Sequence, residues 1–229
     1  MRSTLPIALD PLDLRGKRVL EIGPANGFYT FEMERRGAMV TACELSDSDP
    51  WDIIPHSRVN KEELSKSFQT HLQQLRNAFW FCHKRFESRS RVFHSSVYNL
   101  DLASDLGQFE VSTIFNVLLH LRDPFSALQR MAERTQKTIV IMETEPYAES
   151  RKKVLLTRLL RRLPCQIFYA RAKDKVNTHT WWHLSPRIIE EFLKILGFSP
   201  VSTRFHPITI TATNDKVQGY TVIANRTAS

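Results

Sequence analysis

One short stretch constrains this chain more than any other: residues 19–27, which read VLEIGPANG. The pattern predicts a buried strand that breaks into a tight loop, followed by a helix that begins near Ala25. Gly23 and Gly27 permit positive φ angles and the close approach of a ligand to the main chain. Free N–H groups at the start of a helix favour a carboxylate or another anion. The stretch therefore predicts a turn that binds a ligand.

The spacing of the glycines limits which ligand fits. A dinucleotide-binding turn needs G-x-G-x-x-G and a P-loop needs Gly-Lys-Ser/Thr, and neither pattern is present. The pattern E-x-G-x-x-x-G, which starts at Glu21, resembles the first motif of the class I S-adenosylmethionine-dependent methyltransferases. A second apolar run, starting at residue 38, ends in Glu44. An acid at that place suits hydrogen bonds to the two hydroxyls of a ribose. The alternative is a glycine turn beside an unrelated surface glutamate.

Strands and helices alternate along most of the chain. Strands are predicted at residues 18–22, 38–43, 92–97, 111–115, 138–142, 199–205 and 220–224. Helices are predicted at 25–36, at 60–89 with Asn60 as N-cap, and after the pairs Asp123-Pro124 and Ser185-Pro186. Five strand–helix repeats imply a parallel sheet covered on both faces. The predicted fold is α/β: a Rossmann-like, mostly parallel seven-stranded sheet that ends in an antiparallel hairpin.

In such a sheet, ligands bind at the carboxyl ends of the strands. The residues predicted to meet there are Glu21, Gly23, Glu44, Ser96, Asn116, His120 and Glu143. The resemblance implies S-adenosylmethionine as the cofactor, with Ser96 and the backbone of residues 97–98 near its adenine. The residues that it implies for cofactor binding are Glu21, Gly23, Pro24, Ala25, Asn26, Gly27, Glu44, Leu45, Ser96, Val97, Tyr98, Asn116 and Val117.

A narrower resemblance rests on three short stretches. Residues 116–124 read NVLLHLRDP, residues 77–80 read NAFW, and Trp181-Trp182 follows later. Together they resemble the branch related to the tRNA wobble-uridine (5-oxyacetate pathway) methyltransferases. Those enzymes usually have a tyrosine where Leu119 stands here. Ordinary S-adenosylmethionine, rather than a carboxylated form of it, is therefore expected.

His120 is the candidate general base, because an acceptor that loses a proton needs one and histidine titrates near neutral pH. The alternative is a histidine that orients its loop through a backbone hydrogen bond. Arg122 is the candidate for holding an anionic acceptor, or else it pairs with Asp123 or another acid. Candidates for contact with the acceptor are Trp51, Trp80, Glu143 and Trp181, and core packing is the alternative for Trp51 and Trp80.

No metal site is expected. His179 and His183 have the spacing of a helical metal-binding pair. The residues between them, Thr-Trp-Trp, favour an extended strand, and no third ligand presents itself.

Length and composition indicate a single methyltransferase domain over residues 1–229, since a chain of 229 residues that is 42% hydrophobic can bury one substantial core. No apolar run approaches the length of a bilayer span. The three cysteines are widely separated, which favours neither a disulfide framework nor a zinc ribbon. A cytoplasmic location is expected.

The net charge of +8 is concentrated in residues 147–175, which contain nine Lys/Arg and only two acids. Leucines recur there with helical spacing until Pro164, so one helix face is apolar and the other basic. We predict a basic helical cap inserted at about residues 147–178. It suits a lid over an anion, a surface for RNA, a membrane-surface helix, or a solvated helix without a binding role.

Three functions follow from these patterns. The first is a methyltransferase that modifies an oxygen or nitrogen of a small or anionic acceptor. The second is an RNA (tRNA) methyltransferase that uses the basic segment. The third is a catalytically silent cofactor-binding scaffold that docks a partner or a membrane. The oligomeric state and the identity of the acceptor stay open, because the loops that shape such pockets vary freely on this fold.

Overall fold

The described part of the computed structural model comprises residues 4–102, 106–145, 160–170, 178–209 and 216–227. Its strands are β1 (Arg18–Ile22), β2 (Met39–Glu44), β3 (Arg91–His94), β4 (Phe109–Phe115), β5 (Thr135–Thr144), β6 (Gln166–Phe168), β7 (Trp182–Leu184), β8 (Phe198–Thr209) and β9 (Lys216–Arg226). Its α-helices are α1 (Leu5–Ala8), α2 (Phe28–Arg35), α3 (Lys61–Arg85), α4 (Pro124–Glu133) and α5 (Pro186–Ile195). Short 3-10 helices cover Val97–Leu102 and Leu118–His120.

Seven strands form one sheet in the order β3-β2-β1-β4-β5-β9-β8. The first five are parallel, and β9 and β8 are antiparallel to their neighbours. This confirms the predicted mostly parallel sheet with its antiparallel C-terminal hairpin. The β1–β4 pairing places the order reversal of the sheet beside β1, and ligands bind at such a reversal in open α/β sheets.

Alternate residues of each central strand enter two separate cores. In β5, Ile139 and Ile141 pack with α4 and α5, whereas Val140 and Met142 face α2 and the N-terminal residues. Helices thus cover both faces, as predicted. Ala8, Leu9 and Leu14 of the N-terminal segment are buried on one face of the sheet.

The predicted caps are found in the structure. The Asn60 side chain accepts hydrogen bonds from Glu62 N and Glu63 N, and the Ser185 and Asp123 side chains cap α5 and α4. Helix α2 begins at Phe28 rather than near Ala25. The delay has a local cause: Ala25 has φ +51° and Gly27 has φ +83°, neither of which a helix admits.

The basic cap lies largely outside the described residues, as residues 146–159 and 171–177 do not belong to them. After Pro164, where the helical spacing ends, the described portion contains β6, which pairs antiparallel with β7 in a separate two-stranded sheet. The helices of the described ranges include none with the length and apolarity needed to cross a bilayer.

Candidate active site

A cavity of about 680 Å³ opens at the carboxyl ends of β1, β2 and β4. This volume is typical of a small-molecule site, for which about 300–1,000 Å³ is usual. The predicted cofactor residues that line it are Glu21, Gly23, Pro24, Ala25, Asn26, Glu44, Leu45, Ser96, Val97, Tyr98, Asn116 and Val117. Almost all of the predicted cofactor-binding residues therefore line one cavity.

Gly23 lies where the chain leaves β1 and turns under the cavity. Its φ is +69°, and its N–H donates to Cys43 O at 2.9 Å. A Cβ on this residue would lie 2.6 Å from Cγ2 of Val117, on the loop after β4. Only glycine allows both the backbone conformation and this approach.

Gly27 has a different role from the predicted one. It does not line the cavity, and a Cβ there would lie 2.4 Å from Cε2 of Phe31 and 2.8 Å from Cδ2 of Phe79. The glycine is thus required by packing between α2 and α3, and not by the approach of a ligand. This corrects its assignment as a cofactor-binding residue.

The carboxylate of Glu44 lies at the end of β2, where it accepts a hydrogen bond from Leu45 N at 2.9 Å. Burial raises its pKa. The segment that follows is held by Arg76 of α3, whose guanidinium donates to Leu45 O and pairs with Asp47. Arg76 is buried despite its charge. Its role was missed because the contact spans two distant segments.

Glu21 faces the cavity from inside β1 and is almost fully buried. Thr30 of α2 donates a hydrogen bond to its carboxylate. Burial raises the pKa of Glu21 to about 7, because the charged form loses its hydration. Thr30 of α2 thus holds the Glu21 carboxyl group at the cavity, with a pKa close to neutral pH.

Asn116 follows β4 with φ +56°, and its backbone N–H donates to Met142 O at 2.7 Å. Its side-chain Oδ1 is buried beside the cavity and has no hydrogen-bond partner within the described ranges. A buried carbonyl oxygen without a donor costs free energy. The atom therefore suits a ligand that carries an N–H or ammonium group.

Glu143 lies beneath the site and does not line it. Its Oε1 accepts a hydrogen bond from Leu118 N at 2.8 Å, and the backbone N–H groups of Val117 and Leu119 also favour its charged form. Burial outweighs these bonds and raises the pKa of Glu143 to about 8. The predicted contact with the acceptor is thus corrected: Glu143 holds the turn that carries His120.

Replacing Glu143 by Gln is expected to stabilise the protein relative to wild type as the pH rises. A carboxyl group with pKa about 8 in the folded state and about 4.5 when unfolded contributes stability below pH 4.5. This contribution declines as the pH rises through 8, by up to ~1.4 kcal/mol per pH unit. Gln does not titrate, and its amide oxygen can still accept from Leu118 N. Urea unfolding of both proteins at about pH 6 and pH 8.5 measures the change. An unfolding free-energy difference that does not vary with pH would contradict it.

His120 lines the cavity at the end of the 3-10 helix after β4. Its Nδ1 lies 3.0 Å from His179 O, and since a carbonyl only accepts, Nδ1 carries the proton and Nε2 is an acceptor. Burial, together with the nearby His179, lowers the pKa of His120 to about 4. The imidazole is therefore neutral at physiological pH.

His179 also lines the cavity, and its role was missed in the sequence. It was considered only as half of a metal pair with His183. The structure separates the two: His183 lies buried in β7, while the His179 ring lies 5.0 Å from that of His120. Burial, and then the charge of His71, lowers the pKa of His179.

Asp52 ties the irregular loop of residues 46–59 across the cavity. Its Oδ2 accepts from the Tyr98 hydroxyl at 2.6 Å and from Arg122 N at 2.7 Å, and its backbone oxygen accepts from Trp181 Nε1 at 2.6 Å. Trp51 of the same loop lines the cavity, as predicted from its place in the sequence. No sequence pattern singled out Asp52, because its partners come from three remote segments.

Besides Gly27 and Glu143, three more predicted site residues lie outside the cavity lining. Trp80 is 46% exposed on α3, with its ring against Phe79 and His83. Trp181 is buried beneath the loop, and Arg122 is exposed with its guanidinium 5.2 Å from the Trp181 ring centroid. Stacking on this tryptophan, rather than holding an anionic acceptor, is the contact that Arg122 makes.

Arg161, in the described part of the basic segment, already has partners. Its Nε donates to Glu145 Oε1 at 2.7 Å, and its guanidinium lies 4.3 Å from the ring centroid of Phe205. Glu145 is buried, so this pair links the described part of the basic segment to the residue that follows β5. The charge of Arg161 is thus already paired within the protein, which reduces what this residue offers to an RNA surface.

Solved structures with the same fold come from several organisms. Magnesium protoporphyrin IX methyltransferase from Synechocystis PCC 6803, with bound S-adenosylhomocysteine, has a TM-score of 0.60 at 11% identity, over 99% of this chain and 81% of that one. A 1,6-didemethyltoxoflavin-N1-methyltransferase from Burkholderia thailandensis has a TM-score of 0.60 at 16% identity, over 99% and 78%. A SAM-dependent methyltransferase from Methanosarcina mazei has a TM-score of 0.63 at 12% identity, over 98% of each chain.

The sheet order, the glycine turn after β1 and the cavity at the strand ends define a Rossmann-like class I methyltransferase. The family described as "Methyltransferase domain" matches residues 2–203, and the chain belongs to it. It is thus an S-adenosylmethionine-dependent methyltransferase. No curated protein is significantly similar to the chain in sequence. The narrower resemblance to the wobble-uridine branch stays a prediction.

Proposed function

We propose that this methyltransferase binds S-adenosylmethionine in the cavity and methylates an oxygen or nitrogen of a small acceptor. One observation carries the proposal: Gly23, Glu44 and Asn116 meet around one cavity, each with a feature that a ligand would use. Gly23 has no side chain, so its backbone is accessible to a ligand. Glu44 supplies a carboxylate, and Oδ1 of Asn116 has no hydrogen-bond partner within the described ranges. The donor set of the cofactor, ribose hydroxyls and an ammonium group, fits these acceptors.

Each of these residues would hold a different part of the cofactor. The Glu44 carboxylate accepts from Leu45 N on Oε1, and the backbone of Ala25 also favours its charged form. Because its two oxygens together can accept about four hydrogen bonds, the carboxylate would still accept from the ribose. Asn116 Oδ1 would accept from the ammonium group, and Ser96 and Tyr98 border the adenine end. When bound, the cofactor supplies a methyl group on a positively charged sulfur. A lone pair of the acceptor atom forms the bond to the methyl carbon as the carbon–sulfur bond breaks and leaves its electron pair on sulfur.

His120 would take the proton that the acceptor loses. Its Nδ1–H is committed to His179 O, which fixes the tautomer and leaves Nε2 as the proton acceptor. Its pKa of about 4 keeps the imidazole neutral across the physiological range, so Nε2 is free to accept a proton, and the same lowered pKa makes it a weaker base than an ordinary histidine. Asp52 would contribute by holding the loop of residues 46–59 over the site, since exclusion of water strengthens the interactions inside it.

A small acceptor has more support than RNA. The cavity is bordered by the loop of Trp51 and by α3, whereas Arg161 of the basic segment is paired with Glu145. Most of that segment lies outside the described residues. An RNA acceptor and a silent scaffold therefore stay as alternatives, and binding assays with RNA and with the cofactor test them. RNA binding would show a steep dependence on salt.

Calorimetric titration of S-adenosylmethionine and S-adenosylhomocysteine into cofactor-free protein tests the proposal. Saturable binding is expected, and Glu44→Ala should weaken it by about 1–3 kcal/mol, the scale of a hydrogen bond to a charged group. Glu191→Ala, which removes an exposed acid of α5, serves as the matched control and should leave the affinity unchanged. Failure of the folded wild-type protein to bind either compound would refute the site, and an unchanged Glu44→Ala would refute the ribose assignment.

A further inference from the structure

Four aromatic rings follow one another along a wall of the cavity. Trp51 stacks on Phe68, with ring centroids 4.8 Å apart and planes at 19°. Phe68 meets His179 edge-on at 5.7 Å, and His179 lies 5.0 Å from His120. Trp51, His179 and His120 line the cavity, and Phe68 supports the two rings beside it. This ring wall joins the loop over the site to the proposed base.

Four leucines also line the cavity near the ring wall. Leu72 and Leu75 of α3 line the cavity, as do Leu119 and Leu121 on either side of His120. An aromatic face packs against aliphatic and aromatic groups by burying area, and ring pairs add a geometric preference of their own. A flat molecule is the shape that such a surface holds best.

Among the described residues, the cavity presents no cationic side chain to a charged acceptor. Its lining, taken from the described residues, includes neither Lys nor Arg. Its three acids have partners: Glu21 accepts from Thr30, Glu44 from Leu45 N, and Asp52 from Tyr98. Burying an unpaired charge is costly, so a permanently charged acceptor is disfavoured. Of the two acceptor classes named from the sequence, small or anionic, this lining favours a small uncharged molecule.

The two histidines supply the polar contacts that orient a neutral ring. Burial lowers the pKa of both, so both are uncharged near pH 7. Nε2 of His120 is an acceptor, as its Nδ1–H is engaged by His179 O. A neutral imidazole at His179 provides one further donor and one further acceptor.

We propose that the acceptor is a flat, uncharged aromatic or heteroaromatic molecule that packs against the ring wall and donates an O–H or N–H to Nε2 of His120. This inference rests on the proposed function, because it assigns the second substrate of the same reaction. The proton of that O–H or N–H passes to Nε2 as the heteroatom receives the methyl group. The product carries a methyl ether or N-methyl group at that position.

Three matched probes test the inference by titration into the protein saturated with S-adenosylhomocysteine. They are 2-naphthol (flat, neutral, with a weakly acidic hydroxyl), 2-naphthoate (the same rings with a charge), and decahydro-2-naphthol (the same hydroxyl on a saturated, puckered frame). 2-Naphthol is expected to bind at least roughly tenfold more tightly than either of the others. Trp51→Leu should weaken 2-naphthol by roughly three- to tenfold, while Trp80→Leu, outside the cavity, should not.

The outcomes separate the two levels of the proposal. If the wild-type protein does not bind S-adenosylhomocysteine, the proposed function fails and this inference with it. If that compound binds but 2-naphthoate or the saturated alcohol binds as tightly as 2-naphthol, the acceptor class alone is wrong. Urea unfolding shows whether Trp51→Leu is folded, because Trp51 lines the same cavity as the cofactor residues. An unchanged affinity of the folded variant for 2-naphthol would also overturn the inference.

Discussion

Gly23→Ala is expected to lower both the stability of the protein and its affinity for S-adenosylhomocysteine. The new Cβ would lie 2.6 Å from Cγ2 of Val117, and φ at this position is +69°. The positive φ costs about 1–2 kcal/mol, and the overlap typically adds about 1–3 kcal/mol. Val117 lines the cavity, so its displacement should weaken binding by roughly tenfold or more, the effect of a shift of about 1.4 kcal/mol.

Gly16→Ala is a closely matched control for this change. Gly16 has the same φ of +69°, but a Cβ there would meet nothing within 4 Å. Urea unfolding should show a loss of about 1–2 kcal/mol for Gly16→Ala, with unchanged binding. Adding Val117→Ala to Gly23→Ala removes the overlapping methyl and should recover part of the stability. If both glycine variants behave alike, the close approach of β1 to the loop after β4 has no energetic role.

His120→Asn is expected to lower kcat by roughly 10²–10⁴, the range found for a positioned acid or base. The Asn amide can still donate to His179 O in place of Nδ1–H, but it has no acceptor at the position of Nε2. The variant therefore keeps the structural hydrogen bond and loses the proposed chemistry. Affinity for S-adenosylhomocysteine should stay unchanged, which distinguishes a missing base from a damaged site.

The pH profile gives a second readout for His120. The base must be neutral to act, and its pKa lies at about 4 rather than at the ordinary 6.5. The wild-type rate should therefore stay level across pH 6.5 and fall only as the pH approaches 4. A variant that retains wild-type kcat would instead assign His120 to the positioning of its loop against residues 178–184.

Local pattern was sufficient for the parts of the site that depend on strand ends. Glu21 lies next to the end of an apolar run, and Glu44, Asn116 and His120 end or follow one; parallel strands bring such positions to one edge. The caps Asn60 and Ser185 were likewise readable, because a cap contacts backbone groups only two or three residues away. These predictions needed only the spacing of apolar residues along the sequence and the topology of the predicted fold.

The remaining site residues depend on contacts between remote segments. Trp181 meets Asp52 across 129 positions, and Arg76 reaches Leu45 across 31, so no window of the sequence contains either contact. Trp80 was a candidate because of its residue type, but its orientation on α3 directs it to the surface. Gly27 was assigned to the ligand, although the space that it leaves is taken by the rings of α2 and α3.

Strand β6 shows the same limit. Residues 166–168 follow Pro164 and have no alternating polarity that marks a half-buried strand; all three are exposed. Their pairing with β7 is decided by backbone hydrogen bonds and by Ser185, whose hydroxyl accepts from Cys165 N and donates to Leu163 O. Such a contact is a product of the tertiary fold.

The most direct test of the central claim is a crystal structure of this protein with S-adenosylhomocysteine. The account predicts the ligand in the cavity at the ends of β1, β2 and β4, with ribose hydroxyls within hydrogen-bond distance of Glu44 and the amino group near Asn116 Oδ1. Ligand bound elsewhere, or a ribose that leaves Glu44 without a contact, would contradict the proposed cofactor site.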